Sequence, residues 1–286
     1  MLEQISVCLA ALYLRGVPRP INLTRRKWVK IVACLRTADC KLSDAPRALR
    51  ADGFREEALS LEIEDLIAEA EQLVDSGSVL TAVDAGYPRR WIERLGQAAP
   101  PALWIQGKMP SETLIGIVGS RHIEPPIREF AFSIGEEAVR LGHAVVSGGA
   151  AGCDYAGAAG ALAAGGAAVE MLPHGIDHYS RIDRCGISVC APDEIFSTAS
   201  AMERNALIYA GSEQTVVVHA RFKAGGTWIG AVEANRKRLC PLVVRDDGEQ
   251  ASRALIALGG IPIVSPNDLR AAVARIPSQK GLFEIG

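Results

Sequence analysis

The chain predicts an α/β protein: a doubly wound, largely parallel Rossmann-like sheet with a small N-terminal helical domain. Three observations carry that expectation. From Glu112 onward, short apolar runs alternate with helical patterns, the order that a parallel sheet with crossover helices requires. Three of these runs break into small-residue turns, Gly119-Ser120-Arg121, Ser147-Gly148-Gly149 and Gly225-Gly226-Thr227. In an open parallel sheet such turns leave the carboxyl ends of strands, where ligands bind. Ahead of this alternation, residues 1–75 carry helical patterning.

Residues 1–75 are therefore taken as a helical accessory domain and 76–286 as an extended Rossmann-like domain. Leu2 to Leu14 is apolar and compact, and Gly16, Pro18 and Pro20 break it. Thr24 is placed to cap a helix from Arg25 to Arg36. The clearest helix is Glu62 to Val74, with Ile63, Leu66, Ile67, Ala70, Leu73 and Val74 on one stripe and acids opposite. Pro100-Pro101 holds the chain extended ahead of an apolar edge strand, Ala102 to Ile105.

The sheet proper begins with strand Leu114–Val118 and a helix opened by Pro125-Pro126 and running to Leu141. Strand Ala144–Val146 precedes a helix over Asp154–Ala164, rich enough in Ala and Gly to pack tightly. Strands Ala168–Leu172 and Ile187–Val189 follow, then a helix around Ala201–Ala210 and strand Thr215–Val218. A helix to Ala234, strand Leu242–Val244, a helix over Ala251–Leu258, strand Pro262–Val264 and a helix over Asp268–Ala274 complete the series.

Composition bounds the function. At 286 residues and 49% hydrophobic content the chain can bury a sizeable core. No run approaches the roughly 20 apolar residues of a membrane span, and the N-terminus has no signal-peptide pattern, so a cytoplasmic location is expected. Seven cysteines form an odd set without a Cys-x-x-Cys pair and read as small buried hydrophobes. His174, His178, Cys185 and Cys190 have no closed zinc-site spacing; no metal and no cofactor are expected. The net charge of −2 excludes indiscriminate nucleic-acid binding but leaves room for a local basic site. Charge is uneven: residues 1–50 hold ten Lys/Arg and three acids, residues 51–100 four Arg and eleven acids. Two solvated helical faces that pair electrostatically explain this as well as a polybasic arm does.

The turns are where chemistry is expected. Missing β-carbons let a backbone approach a ligand, and each helix start offers unpaired N–H groups at a positive dipole end. Ser120 can cap a helix or donate to an anion, and Arg121 supplies a forked cation suited to phosphate. Ser147-Gly148-Gly149 is expected to expose backbone N–H groups. Lys223, with Gly225-Gly226-Thr227, adds charge, close approach and a hydroxyl at a third helix start. Phe222 or Trp228 offers a ring to a base, although a ring as large as Trp228 at a helix start ordinarily buries in the core. Together they describe a crevice for a phosphodiester or a nucleotide.

At these residues the chain resembles the DNA-processing protein A (DprA/Smf) family. The resemblance rests on Tyr87-Pro88 with Leu95 and Pro101, on Val118-Gly119-Ser120-Arg121, and on Ser147 to Asp154. It continues through Gly160-Ala161-Leu162, Gly175-Ile176-Asp177 with Tyr179, Arg204-Asn205, and Gly225-Gly226-Thr227 with Ala231 and Ala234. It implies a non-catalytic, usually dimeric single-stranded DNA-binding protein that protects incoming strands and helps load the RecA recombinase in natural transformation. On that model Arg121, Gly148, Gly149, Arg204, Asn205, Lys223 and Thr227 line the strand pocket. The chain departs from the family at Ala151, where an arginine is usual, and near Gly157, where a histidine is usual. Losing a cation lowers the expected strand affinity and its salt dependence.

Two alternatives come from the wider superfamily. In a phosphoribohydrolase-like N-glycosidase, Glu170 and Glu233 are the acid/base candidates, but Glu233 falls one position late after Gly225-Gly226-Thr227. A nucleotide sensor, in a divergent branch serving phage defence, would use the same crevice for a small ligand.

Overall fold

A computed structural model describes residues 2–14, 25–37 and 41–274. Gly16, Pro18, Pro20 and Thr24, given breaking and capping roles from the sequence, lie outside the described residues. In chain order the elements are α1 (Leu2–Leu14), α2 (Arg25–Thr37), α3 (Ala45–Ala51), α4 (Arg55–Ser60), α5 (Glu64–Asp75), β1 (Val79–Thr81), α6 (Arg89–Leu95) and β2 (Ala102–Gln106). Then come β3 (Leu114–Gly119), α7 (Pro125–Arg140), β4 (Ala144–Ser147), α8 (Cys153–Ala163), β5 (Ala168–Leu172), β6 (Cys185–Ser188) and α9 (Thr198–Gly211). The series ends with β7 (Gln214–His219), α10 (Gly225–Lys237), β8 (Leu242–Arg245), α11 (Gln250–Ala257), β9 (Ile261–Ile263) and α12 (Leu269–Ala274). Two compact units result, Met1–Met109 with Val169–Gly211, and Pro110–Ala168 with Ser212–Gly286.

In the first unit, α1 is apolar around almost its whole circumference and is buried from Ile5 to Leu12, as a helix of that pattern must be. α5 packs beside it. The predicted stripe buries Leu66 and Ala70, but Ile63 precedes the helix and is 48% exposed. Three large rings are fixed by single hydrogen bonds from their polar ends. The Trp28 indole donates to the Ala99 carbonyl (3.2 Å), the Trp91 indole to the Leu207 carbonyl (2.8 Å) and the Tyr87 hydroxyl to the Pro100 carbonyl (2.5 Å). Each buries a large apolar area while satisfying its one donor. β2 differs from expectation. It runs antiparallel to both β1 and β6, so it is an interior strand and not an edge. The edge position belongs to β1, three residues that are too short to announce themselves as a strand. β5 and β6 are parallel.

The second unit is a parallel sheet in the order β4-β3-β7-β8-β9. Side chains alternate between its faces. Ile115, Ile117, Val145, Val216 and Val218 share a core with Ala131, Ile134 and Ala138 of α7 and Ala156 and Ala161 of α8. Val217 and Val244 point the other way, toward Ser252 and Leu255 of α11, so the sheet is covered on both sides. α7 and α8 touch backbone to backbone: a β-carbon on Gly160 would overlap the Phe132 carbonyl, and one on Gly135 the Gly157 carbonyl. That approach is why α8 is so rich in Ala and Gly. Among the described residues no helix is long and apolar enough to cross a membrane, and the six described cysteines are buried.

Candidate nucleic-acid interface

β4, β3 and β7 are neighbours and parallel, so their carboxyl ends deliver three turns side by side within the second unit. Hydrogen bonds tie the turns together. Ser120 N–H donates to the His219 carbonyl (3.0 Å), and Ser120 Oγ lies 2.9 Å from His219 Nδ1. Cys153 N–H donates to the Ser120 carbonyl (3.2 Å). Gly152, at φ +86°, sits against this junction; a β-carbon there would overlap the carbonyl oxygens of Ser120 and Arg121. The sequence reading assigned no role to His219, which it placed one residue beyond the strand Thr215–Val218.

The first two turns are closed by one side chain. Asp154, in the first turn of α8, is 7% exposed. Its carboxylate accepts the Gly119 N–H (3.2 Å) and the Gly148 N–H (3.0 Å). Gly149 N–H goes to Ser147 Oγ (3.3 Å). The expectation that Ser147-Gly148-Gly149 presents free N–H groups is therefore corrected. An internal carboxylate occupies the place an anion would take, where a helix start favours negative charge. The sequence signal for this closure is an aspartate two residues after the last glycine of the turn, Gly152-Cys153-Asp154. The neighbouring Cys153 thiol is pushed up to about 12 by burial, with the Asp154 charge adding to it. It is a packing group.

The third turn is open. Ala224 N–H donates to the Arg221 carbonyl (3.1 Å), closing Arg221-Phe222-Lys223-Ala224. Lys223 stands at its third position with φ +54°, a conformation that glycine normally supplies. Its side chain is exposed, with Nζ 5.1 Å from the Phe222 ring centroid. Phe222 and Trp228 meet edge to face at 5.0 Å. Trp228 is half-buried rather than in the core, because its packing partner Phe222 belongs to the turn. Gly225 and Gly226 are exposed and Thr227 is half-buried; all three form the first turn of α10, which starts without a side-chain cap. Arg121 is exposed on the β3 turn. Arg204 and Asn205 lie on α9 in the first unit, Arg204 buried and Asn205 half-buried.

The hydrolytic candidates are engaged elsewhere. Glu233 pairs with Lys237 one turn along α10 (2.7 Å), and that ion pair holds its carboxyl below the usual range. Glu170 is buried in β5 between Arg184 (3.0 Å) and Arg181 (3.3 Å). A cavity lined by His219, Arg245, Asp247 and Ser252 has about 10 Å³, room for roughly one water. Among the described residues no group of three or more His, Cys, Asp or Glu side chains is placed to hold a metal ion.

Comparison with known proteins fixes the family. The model for DNA recombination-mediator protein A matches residues 78–274. The chain belongs to that family. The match runs from just before β1 through α12, so all three turns fall inside it. Among solved structures it is similar to DNA processing protein A from Streptococcus pneumoniae, at 19% identity and a TM-score of 0.68, covering 95% of this chain and 97% of that one. It is also similar to DNA processing protein A from Helicobacter pylori, at 20% identity and a TM-score of 0.59, covering 69% of this chain and 96% of that one. At those identities the likeness is one of fold. No curated protein matches the chain.

Proposed function

We propose that this protein binds single-stranded DNA along the carboxyl rim of β4, β3 and β7, protects the strand, and assists loading of a RecA-type recombinase in DNA uptake and recombination. The observation that carries the proposal is the open third turn. Exposed Lys223 and the Phe222–Trp228 pair stand on the strand next to the one that ends in exposed Arg121. Cations for phosphates beside rings for bases are the two chemistries that sequence-tolerant single-strand binding uses. Family membership agrees, and the Helicobacter pylori structure is described as showing a single-stranded DNA binding mode.

In this proposal Arg121 and Lys223 hold phosphates, Thr227 donates its hydroxyl, and Gly225 and Gly226 allow close approach. Phe222 or Trp228 stacks on a base. Action as a homodimer in the cytoplasm and the absence of catalysis are taken from family resemblance. With Gly119 and Gly148 N–H groups committed to Asp154, phosphate recognition falls to exposed side chains. Such a rim suits a flexible strand better than a mononucleotide that needs a preformed cradle.

Fluorescence anisotropy with labelled oligo-dT tests this. Arg121→Ala/Lys223→Ala should weaken binding about tenfold, and the log–log salt dependence should become shallower by about 0.7 for each phosphate no longer neutralised. Excess AMP should not displace the strand. Parental affinity in the double variant at modest salt would reject the assignment.

A further inference from the structure

The exposed face of α2 is the feature that single-strand binding leaves unexplained. α2 carries five Lys/Arg and no acid in thirteen residues. Its inner side, Trp28, Ile31, Val32, Cys34 and Leu35, is buried. Two of the five cations are used at home: Lys27 pairs with the buried Glu57, and Arg25 donates to the Ile92 carbonyl (3.0 Å). The other three, Arg26, Lys30 and Arg36, are exposed, and none has an ion pair among the described residues. At 100° per residue they fall within one third of the helix circumference, together with Val29, Ala33 and Thr37. So the pairing of basic and acidic faces expected from the sequence accounts for Lys27 and, on α3, for Arg50 with Glu62 (2.5 Å). It does not account for this outer row.

The row is held rigidly. Besides Arg25, the Trp28 indole reaches Ala99 (3.2 Å) and the Arg26 N–H reaches Gln97 Oε1 (2.9 Å). α2 therefore cannot turn its cations elsewhere. Arg26 and Lys30 are one turn, roughly 6 Å, apart, and Arg26 to Arg36 spans about 15 Å. That is the scale of successive phosphates on a nucleic-acid strand. What the face lacks selects among anionic partners. It offers no exposed ring, so unpaired bases gain nothing there. Its exposed apolar side chains, Val29 at 43% exposure and the single methyl of Ala33, are too small for the anchored core of a protein interface. A duplex, with its bases inside and phosphates outside, asks only for cations.

We infer that the outer face of α2 is a second DNA site, a sequence-independent contact to the phosphate backbone of duplex DNA through Arg26, Lys30 and Arg36. It lies in the first unit and does not depend on the single-strand proposal.

The full chain is titrated against a labelled duplex and against oligo-dT over a salt series. The parent should bind duplex at low salt. Arg26→Gln/Lys30→Gln/Arg36→Gln should lose about tenfold in duplex affinity and make the salt slope shallower by about 2 to 3. Its oligo-dT affinity should stay within twofold and its melting temperature should not change. Arg26→Lys/Arg36→Lys, which keeps the charges, should retain duplex binding. No duplex binding by the parent, an unchanged duplex affinity in the triple variant, or an equal loss for oligo-dT would each overturn the inference. Arg121→Ala/Lys223→Ala separates the two sites, since it should lower oligo-dT affinity and leave the duplex affinity in place.

Discussion

The β4–α8 and β7–α10 turns look alike as sequence, Ser-Gly-Gly in one and Lys-x-Gly-Gly-Thr in the other, each ahead of a helix. They fold to opposite ends. The β4 turn is filled from within by Asp154, and Gly152 presses it against the β3 turn. The β7 turn has no such plug and presents Lys223, two rings and an uncapped helix start. Glycine content marks where a backbone comes close to something. Whether that something is the protein itself or a ligand is decided by the acidic side chain that follows.

The largest effect that tests this contrast is removal of the plug. Asp154→Ala deletes a buried carboxylate and strands two amide donors, so urea unfolding should show a loss of about 3 to 4 kcal/mol. Asp154→Asn keeps one acceptor oxygen and should lose about half as much. The alanine variant should also make the closed turn behave as an open one. Its freed Gly119 and Gly148 N–H groups face the vacated volume, and sulfate should raise its melting temperature more than it raises the parent's. Equal sulfate responses would show that the turn is not an anion site even when emptied.

Next in size is the difference between two positive-φ glycines. Gly152 (φ +86°) meets carbonyl oxygens where a β-carbon would go, whereas Gly225 (φ +79°) has nothing nearer than Arg221 Nη2 at 3.6 Å. Gly225→Ala should cost only the left-handed backbone penalty, about 1 kcal/mol. Gly152→Ala adds a clash that backbone must yield to, and should cost about 2 kcal/mol or more. Similar losses from thermal unfolding of the two variants would mean that the β4 turn is as loosely seated as the β7 turn.

Legibility followed the length of the signal. β3 and β4 are Val/Ile-rich runs cut off by small residues, β7 is a run of three valines, and α7 opens on paired prolines, so these elements read directly. β1, with three residues, left no periodicity to find, and its absence turned the interior β2 into an apparent edge strand. Arg121, Lys223 and the glycines stand out as candidates because residue type alone suggests their chemistry. Asp154 is not legible because its function depends on reaching the Gly119 amide, 35 positions earlier, and the half-burial of Trp228 is not, because its partner Phe222 is set by turn geometry rather than by size. Ser120, read from the sequence as a cap or an anion donor, has its Oγ 2.9 Å from His219 Nδ1, a neighbour 99 positions away that no local pattern announces.

The smallest effect is also the most diagnostic, because stability and binding should move in opposite directions. Lys223 holds φ +54° at a turn position where glycine is unstrained. Lys223→Gly removes that strain, but it also loosens the unfolded chain, so the net gain in stability should be modest, about 0.5 kcal/mol. The same change deletes a cation from the proposed strand path and should weaken oligo-dT binding several-fold while making its salt dependence shallower. A side chain retained merely by accident at a strained position would give the stability gain alone. A rise in melting temperature with unchanged oligo-dT affinity would detach Lys223 from DNA recognition, and leave the openness of the β7 turn without a ligand to explain it.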